Sequence, residues 1–352
     1  MKRLLSFLIL TLAIAVTSRA GAVDFQAELK KLAEDNARGY VGPFATAFGT
    51  AMNSGLYHTA KPHAILGFDV SVKISVVQIA DQDLTFDFIL PTSFPVTIPS
   101  LGTRNLNANL LYPDRKGPTM FGENKGKLLQ ASDASLESAL LTAGISSADI
   151  QNLRNSGEYT TVLNTINADA ITTPPGTGVD LLPLPIPQAS VGLPFKTEIL
   201  VRFIPEIDAG DFGKVKFLGF GVKHSISQWI PVPLFGLDIT GQYATQKLEL
   251  GPITSNNTAF NLAVSRRFGF MLASVTPYAG FGMESSDIEV DYTIDNPGNA
   301  FHGQNVAFDL KGNNKSRMTA GARLQLMIFT FNADINMGEY TAYSAGLGIT
   351  LR

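Results

Sequence analysis

Between Phe68 and Val76 every even position is apolar and every odd one polar: Phe68, Val70, Val72, Ile74 and Val76 alternate with Asp69, Ser71, Lys73 and Ser75. Successive side chains of a β-strand point to opposite faces, so this period of two predicts a strand with one greasy and one wet face. The pattern returns along the chain. Leu84, Phe86, Phe88 and Leu90 alternate with Asp83, Thr85 and Asp87, and Leu106, Ala108, Leu110 and Tyr112 with Asn105, Asn107 and Asn109. Ile199, Val201 and Phe203 oppose Glu198 and Arg202. Phe235, Leu237, Ile239 and Tyr243 oppose Asp238, Thr240 and Gln242, while Phe260, Leu262 and Val264 oppose Asn261, Ser265 and Arg267. Ile288, Val290, Tyr292 and Ile294 oppose Asp287, Glu289, Asp291 and Asp295. Ala320, Ala322, Leu324, Leu326 and Ile328 then share one parity, which flips at Phe329 to Phe331, Ala333, Ile335 and Met337. A one-residue shift moves every side chain to the other face, so a tight turn is expected near Ile328–Thr330. Gly338-Glu339 leads into a closing strand carrying Tyr343, Ala345, Leu347, Ile349 and Leu351.

Such runs begin near residues 63, 82, 103, 195, 213, 235, 257, 273, 286, 302, 316, 329 and 340. Most are about 9–14 residues long, the length with which a tilted strand crosses a bilayer. Single-chain bacterial barrels close with even strand numbers, so one run, at 273 or 286, is expected to extend its neighbour. The expected fold is all-β: an antiparallel transmembrane barrel of about 12 strands, within roughly 10–14. A soluble sandwich shares the alternation but turns its apolar face onto a second sheet. The barrel is preferred because the polar faces carry charge, as a wet lumen permits, and because Tyr112, Phe268, Tyr278, Tyr292 and Tyr343 stand near the ends of runs, as interfacial girdles do. The residues expected to face the lumen are Asp69, Lys73, Asp87, Glu198, Arg202, Asp238, Arg267, Arg323 and Asp334.

Composition sharpens this picture. Of 352 residues 45% are apolar and only 16% charged, against about 25% charged in ordinary soluble domains. Mean hydropathy is +0.13, yet outside the first twenty residues no run is apolar and long enough for a membrane-spanning helix. Lys2 and Arg3, the apolar stretch Leu4–Val16 and Ala20-Gly21-Ala22 read as a signal peptide over residues 1–22, cleaved after Ala22 or Ala20. With no cysteine in the chain there is no disulfide framework, thiolate metal site or lipid anchor. Removing Lys2, Arg3 and Arg19 leaves 24 basic against 30 acidic residues, which argues against nucleic acid as a partner.

Three features stand outside the expected wall at 61–352. Residues 23–60 begin with a helical pattern (Phe25, Leu29, Leu32 and Ala33) and continue through small residues to Asn53-Ser54-Gly55-Leu56-Tyr57; they read as a plug or a periplasmic lead-in. Residues 113–194 read as an inserted subdomain with short helices at Ser135–Ala143, Ser147–Asn155 and Glu158–Ala168 and leucines and isoleucines on their buried faces, forming a plug or an extracellular cap. Three proline-apolar stretches, Pro95–Pro99, Pro183–Pro187 and Ile230–Leu234, read as connections, because proline cannot donate to a ladder.

The chemistry of a catalyst is absent from the pattern. His58, His63, His224 and His302 show no metal-ligand spacing, and no HExxH, GxSxG or phosphate-binding loop occurs. His224 and Ser225 are neighbours on a strand and point to opposite faces, so they form no dyad. The row Asp287, Glu289, Asp291 and Asp295 reads as a solvated face in preference to a cation site. No enzyme activity, metal or cofactor is expected.

The closing strand reads Ser344-x-Gly346-x-x-Ile349-x-Leu351, which resembles the assembly signal that ends bacterial outer-membrane barrels, although Arg352 follows it in place of a terminal phenylalanine. The stretch Asn53–Lys61 before Gly67-Phe68-Asp69, together with Phe331–Asp334, Gly338-Glu339-Tyr340 and Tyr343–Ile349, resembles a family of uncharacterised bacterial outer-membrane barrels annotated only by a domain of unknown function. The general shape, an N-terminal plug before a barrel, is similar to the long-chain fatty-acid transporters, without their N-terminal motif. The resemblance implies location in the bacterial outer membrane, contact with its lipid and lipopolysaccharide, and delivery by the barrel-assembly machinery. The expected function is a channel or transporter for small or hydrophobic molecules. A structural or partner-binding barrel without transport is the alternative, and a secreted soluble sandwich a further one.

Overall fold

The computed structural model describes residues 22–168, 171–208, 214–230, 236–270, 272–293, 303 and 305–351; residues 1–21 of the expected signal peptide, residues 231–235, Asp295 and His302 lie outside them. The chain divides into two compact units, one of residues 1–41, 81–179 and 293–306, the other of residues 42–80, 180–292 and 307–352.

The second unit is a closed antiparallel barrel. Its wall strands are β1 (Phe68–Gln78), β2 (Leu181–Leu193), β3 (Thr197–Asp208), β4 (Lys214–Ser225), β5 (Asp238–Leu250), β6 (Ile253–Ser265), β7 (Ala273–Thr293), β8 (Ser316–Leu326), β9 (Phe329–Met337) and β10 (Thr341–Leu351). Each pairs with the next, and β10 pairs with β1 from Leu351↔Phe68 to Thr341↔Gln78, which closes the ring. The ring therefore has ten strands, not twelve. Two further strands, Phe268–Phe270 and Asn305–Lys311, pair with β7 outside the ring. The runs at 273 and 286 are one strand, and the hairpin at the parity flip turns at Met327-Ile328, with Met327 at φ +55° and Leu326 paired to Phe329.

Which face is buried decides between barrel and sandwich. On β1 the apolar residues Val70, Val72 and Ile74 are 46–54% exposed, whereas Asp69 and Lys73 are 1% exposed. The same inversion holds on β9, where Phe329 and Phe331 are exposed and Thr330, Asn332 and Asp334 buried. The outward parity of these strands thus forms a continuous exposed apolar belt, with the polar parity turned into the ring. From Phe68 to Val76 that belt covers about 20 Å along the barrel axis at the usual strand tilt, close to a bilayer core.

At the end of the barrel where β1 finishes, the polarity reverts to that of a soluble wall. Lys214, Lys216, Lys247 and Asn256 point outward, while Phe217, Leu248 and Ile253 point inward. On β7, Asp287, Glu289 and Asp291 are exposed on the outside and Ile288 and Val290 are buried inside, the reverse of what a lipid-facing Ile288–Tyr292 row requires. Here the strands extend beyond the apolar belt and present charged residues on their outer face.

The insertion differs from expectation at both ends. Leu181–Leu193, expected within the 113–194 subdomain, is wall strand β2. The runs at 82 and 103, expected as wall strands, belong to the first unit. There Thr85–Asp87 pairs with Lys116–Pro118, Ser93–Ile98 forms a hairpin with Gly102–Asn107, and Leu128–Leu129 pairs with Ile171–Thr172. Their apolar residues Phe88, Leu90, Ile98 and Leu106 are buried, so here the same alternation builds an ordinary core. The expected helices form at α2 (Asp133–Thr142), α3 (Ser147–Ser156) and α4 (Glu158–Ala168), with Ser132 and Ser146 capping the first two. The long N-terminal helix α1 (Ala22–Asn53) contributes its first part to this unit, where the Asn36 side-chain amide both donates to and accepts from the Ile89 backbone and Tyr40 Oη donates to Pro175 O. From Gly42 onward it belongs to the barrel unit.

Candidate functional site

The interior of the barrel holds residues 42–60 against its inward side chains. The last part of α1 has the sequence Gly42-Pro-Phe-Ala-Thr-Ala-Phe-Gly-Thr-Ala-Met-Asn53, and its small residues allow close approach to the wall. A Cβ on Gly49 would lie 2.0 Å from Ser286 Oγ, and one on Gly312 would lie 3.2 Å from Ala45 O. Phe44 and Phe48 stack with centroids 5.2 Å apart. Helix C-termini leave carbonyls without partners, and here the wall supplies the donors. Arg202 of β3, fully buried, donates from Nη1 to Met52 O at 2.6 Å and from Nη2 to Ser54 O at 2.8 Å. Its remaining bonds go to Gln188 Oε1 of β2 and Gln246 Oε1 of β5. Gln246 Nε2 adds a bond to Met52 O and Gln242 Nε2 one to Leu56 O. Gly55 leaves the helix at φ +65°, the left-handed turn that favours glycine at this place.

Beyond the turn, Leu56, Tyr57 and Ala60 pack with Leu200, Ala244, Ala259, Ala263 and Tyr278 of the wall. Ser265 Oγ accepts from Ala60 N at 2.9 Å. Three charged groups line the surrounding wall. Lys73 Nζ donates to His58 Nδ1 at 3.0 Å and to Asn332 Oδ1 at 2.6 Å, with Asp69 Oδ2 3.7 Å from His58 Nε2. Glu198 pairs with Lys223 at 2.9 Å and accepts from His63 N at 3.0 Å. Glu284 pairs with Arg317 at 2.5 Å, and Arg317 also donates to Asn261. Tyr278 Oη donates to Asp334 Oδ2 at 2.7 Å.

Of the residues expected to face the lumen, Asp69, Lys73, Glu198, Arg202, Arg323 and Asp334 are buried on inward positions of the ring. Asp238 has the inward parity at the start of β5 and is half-buried. Asp87 is exposed in the first unit, because its run is not part of the wall. Arg267 is exposed in the connection after β6, where the ladder has ended. In the C-terminal motif Ser344 points inward, and Ile349 and Leu351 point outward. Gly346 lies over Lys73 and Asn332: a Cβ there would stand 2.3 Å from Asn332 Oδ1.

Sequence reasoning missed the amides around the inner segment: Gln246 bonds it directly at Met52, while Gln188 and Asn332 accept from Arg202 and Lys73, which do. These amides carry no charge and so drew no notice. His224 and Ser225 do point apart: His224 shares bonds with Thr197, Gln228 and Trp229, and Ser225 with Ser227. Among the described residues no cluster of three or more His, Asp or Glu side chains is placed to hold a metal, and no helix is long and apolar enough to cross a membrane.

No curated protein matches the chain. A solved structure that aligns over 99% of this chain and 97% of its own is Wzi of Escherichia coli, an outer-membrane carbohydrate-binding β-barrel involved in group 1 capsule assembly; at 8% identity and a TM-score of 0.14 the likeness carries no argument. Residues 1–351 match the family of unknown function DUF6588, and the chain belongs to that family.

Proposed function

We propose that this protein is an outer-membrane barrel that passes small or hydrophobic molecules, with residues 42–60 as the plug of its lumen. The observation that carries the reading is the inverted burial of the ring, apolar outside and charged within, which suits lipid around the wall and polar contacts inside it. In this reading lipid and lipopolysaccharide cover the belt of β1, β9 and β10, and the assembly machinery receives the C-terminal strand. Transport requires residues 42–60 to leave or shift, and the bonds from Arg202, Gln242 and Gln246 are what such a movement breaks.

The test begins with fractionation. The protein is expected in outer membranes, with a folded form that migrates differently on gels unless boiled. Refolded into liposomes, it should admit a small dye slowly, and faster once the segment is loosened by substitution at Arg202. Recovery in the soluble periplasmic fraction would sink the membrane reading. An unchanged dye flux with a loosened segment would favour a sealed, structural barrel, a reading that the density of bonds to residues 52–60 also supports.

A further inference from the structure

The barrel unit fixes the direction in which residues 42–60 pass through the ring. Thr46 Oγ1 accepts from Asn313 N at 3.1 Å, and Gly49 lies against Ser286 in the later part of β7. Met52 O then meets Gln246 of β5, and Leu56 O meets Gln242, nearer the start of that strand. Ala60 N reaches Ser265, the last residue of β6, and His63 N reaches Glu198 near the start of β3. Every wall strand that touches the segment gives the same order. The segment enters the ring at the end where β1 finishes at Gln78 and emerges where β1 begins at Phe68, so it runs antiparallel to β1.

Connectivity brings the rest of α1 to the Gln78 end as well. The chain passes between the two units at 41–42, 80–81, 179–180, 292–293 and 306–307. The last four of these passages follow β1, precede β2, follow β7 and precede β8, and all four strand ends lie at the Gln78 end of the ring. Within the first unit, α1 is bonded to the insertion through Asn36 and Ile89, Tyr40 Oη and Pro175 O, and Met120 N and Tyr40 O. Charge divides the helix at the same place. Every charged residue of α1, from Asp24 to Arg38, precedes Gly42, and between Gly42 and Ala60 there is no Asp, Glu, Lys or Arg. The stretch inside the ring is the one that brings no further ion to be desolvated there.

The two ends of the ring differ in kind. At the Phe68 end the turns expose Leu66, Phe195, Leu272 and Met327. At the Gln78 end Lys214, Lys216, Lys247, Asp287 and Glu289 stand outward beyond the apolar belt. The longest connections, 79–180 and 294–315, also leave from the Gln78 end, whereas Leu193–Thr197 and Leu326–Phe329 turn tightly at the Phe68 end. Outer-membrane barrels turn tightly on the periplasmic side and extend their longer loops outside.

From the sense of the inner segment and the asymmetry of the ends we propose that the ring carries the start of its own chain to the cell surface. Residues 22–41 and the insertion at 81–179 are displayed outside, and residues 42–60 cross the outer membrane through the lumen as the tether that joins α1 to β1. The inner segment is then held at both mouths of the ring, free to shift within it but not to leave while α1 stays folded. Display of the first unit is a task beyond the passage of solutes, and it rests only on the membrane placement of the ring.

The chain has no cysteine, so single-cysteine variants of the full-length protein report sidedness. Glu34→Cys and Asp35→Cys mark the first part of α1, Asn152→Cys the insertion and Ala64→Cys the Phe68 end; all four positions are exposed or half-buried. Intact cells are treated with a maleimide carried on a polyethylene glycol too large for porins, and the shifted band is compared with that from lysed cells. The variants at 34, 35 and 152 should be modified as fully in intact cells as after lysis, and Ala64→Cys should stay unmodified until lysis. Protection of Asn152→Cys, or of both Glu34→Cys and Asp35→Cys, in intact cells would overturn the display, as would modification of Ala64→Cys there. Fractionation of the same variants separates the two failures. Protected cysteines on a protein recovered in outer membranes defeat the display alone, while recovery in the soluble periplasm defeats the membrane reading and the display together.

Discussion

Arg202→Ala is the substitution with the largest expected effect on the barrel interior. The guanidinium makes four hydrogen bonds, two of them to the carbonyls of Met52 and Ser54 where α1 ends. Removing it leaves those carbonyls and two amide oxygens to find new partners, and only Gln246 Nε2 still reaches Met52 O. Hydrogen bonds to a charged donor contribute about 1.5–3 kcal/mol each, and the two to the segment together make about 3–6 kcal/mol of its docking. At about 1.4 kcal/mol per decade this is roughly a hundredfold to ten-thousandfold rise in the undocked population. Arg202→Lys should fall between, since an ammonium keeps the charge but cannot span four acceptors in one plane. Limited proteolysis at residues 54–60 in detergent and dye flux from liposomes read the same equilibrium, and cleavage rate should rank Ala above Lys above wild type. Equal cleavage in all three proteins would refute the argument that Arg202 holds the segment.

Other outcomes follow from single positions. Gly49→Ala should lower the thermal midpoint of the heat-modifiable form despite a helix propensity gain of about 1 kcal/mol, because its Cβ meets Ser286 Oγ at 2.0 Å; Ser286→Gly should restore it, and failure of that rescue would place the cause elsewhere. Gly346→Ala should destabilise the barrel refolded from urea without any assembly factor, through its clash with Asn332 and Lys73, whereas a defect seen only in cells would make Gly346 purely an assembly signal. In the first unit Arg154 donates to both carboxylate oxygens of Asp133 and to Glu137 and holds the Asp133 carboxyl below its ordinary range. That depressed value makes the pair's contribution present above about pH 4 and lost as the pH falls further. The melting difference between wild type and Arg154→Gln should therefore be measurable at neutral pH and vanish near pH 2, and a difference unchanged by acid would contradict the assignment.

Period two named the strands of this protein without saying where their apolar faces go, and the structure uses three destinations. On β1, β9 and β10 the apolar parity faces out, because the opposite parity carries Asp69, Lys73, Asp334 and Ser344, whose partners lie inside the ring: Lys73 bonds His58 and Asn332, Asp334 accepts from Tyr278 and Asn336, and Ser344 meets Ser75. On the later part of β7 the charges face out and Ile288 and Val290 face in, since the strand has passed the belt. In the runs at 82 and 103 the apolar side is buried in a separate unit, and Asp87 ends on the surface. What separates these cases is the character of the polar parity. A row of buried-capable polar groups on a strand whose neighbours match it reads as lumen, while isolated acids beside leucines read as solvent. Asp69, Lys73, Glu198, Arg202, Arg323 and Asp334 were therefore legible one by one, while Lys223, which pairs with Glu198 across the wall, and the Glu284–Arg317 pair were not; nor was the ring size, which depends on which runs pair, a long-range property that no local pattern carries.

The proline rule failed in an informative way. Proline's missing donor predicts a connection at Pro183, Pro185 and Pro187, yet β2 is in the wall and pairs with β1 along its length. Their spacing at every second residue was the overlooked signal. Prolines on successive positions deny donors to both neighbours and end a strand, whereas prolines on alternate positions deny them to one neighbour only and leave the other ladder intact. A strand so written is half edge and half interior, and Pro205 across the hairpin removes the donor that would have faced Pro185. The stretch too greasy for a loop and too rich in proline for an ordinary strand is therefore one element, a wall strand paired along its length on one side and only from Gln188 to Leu193 on the other.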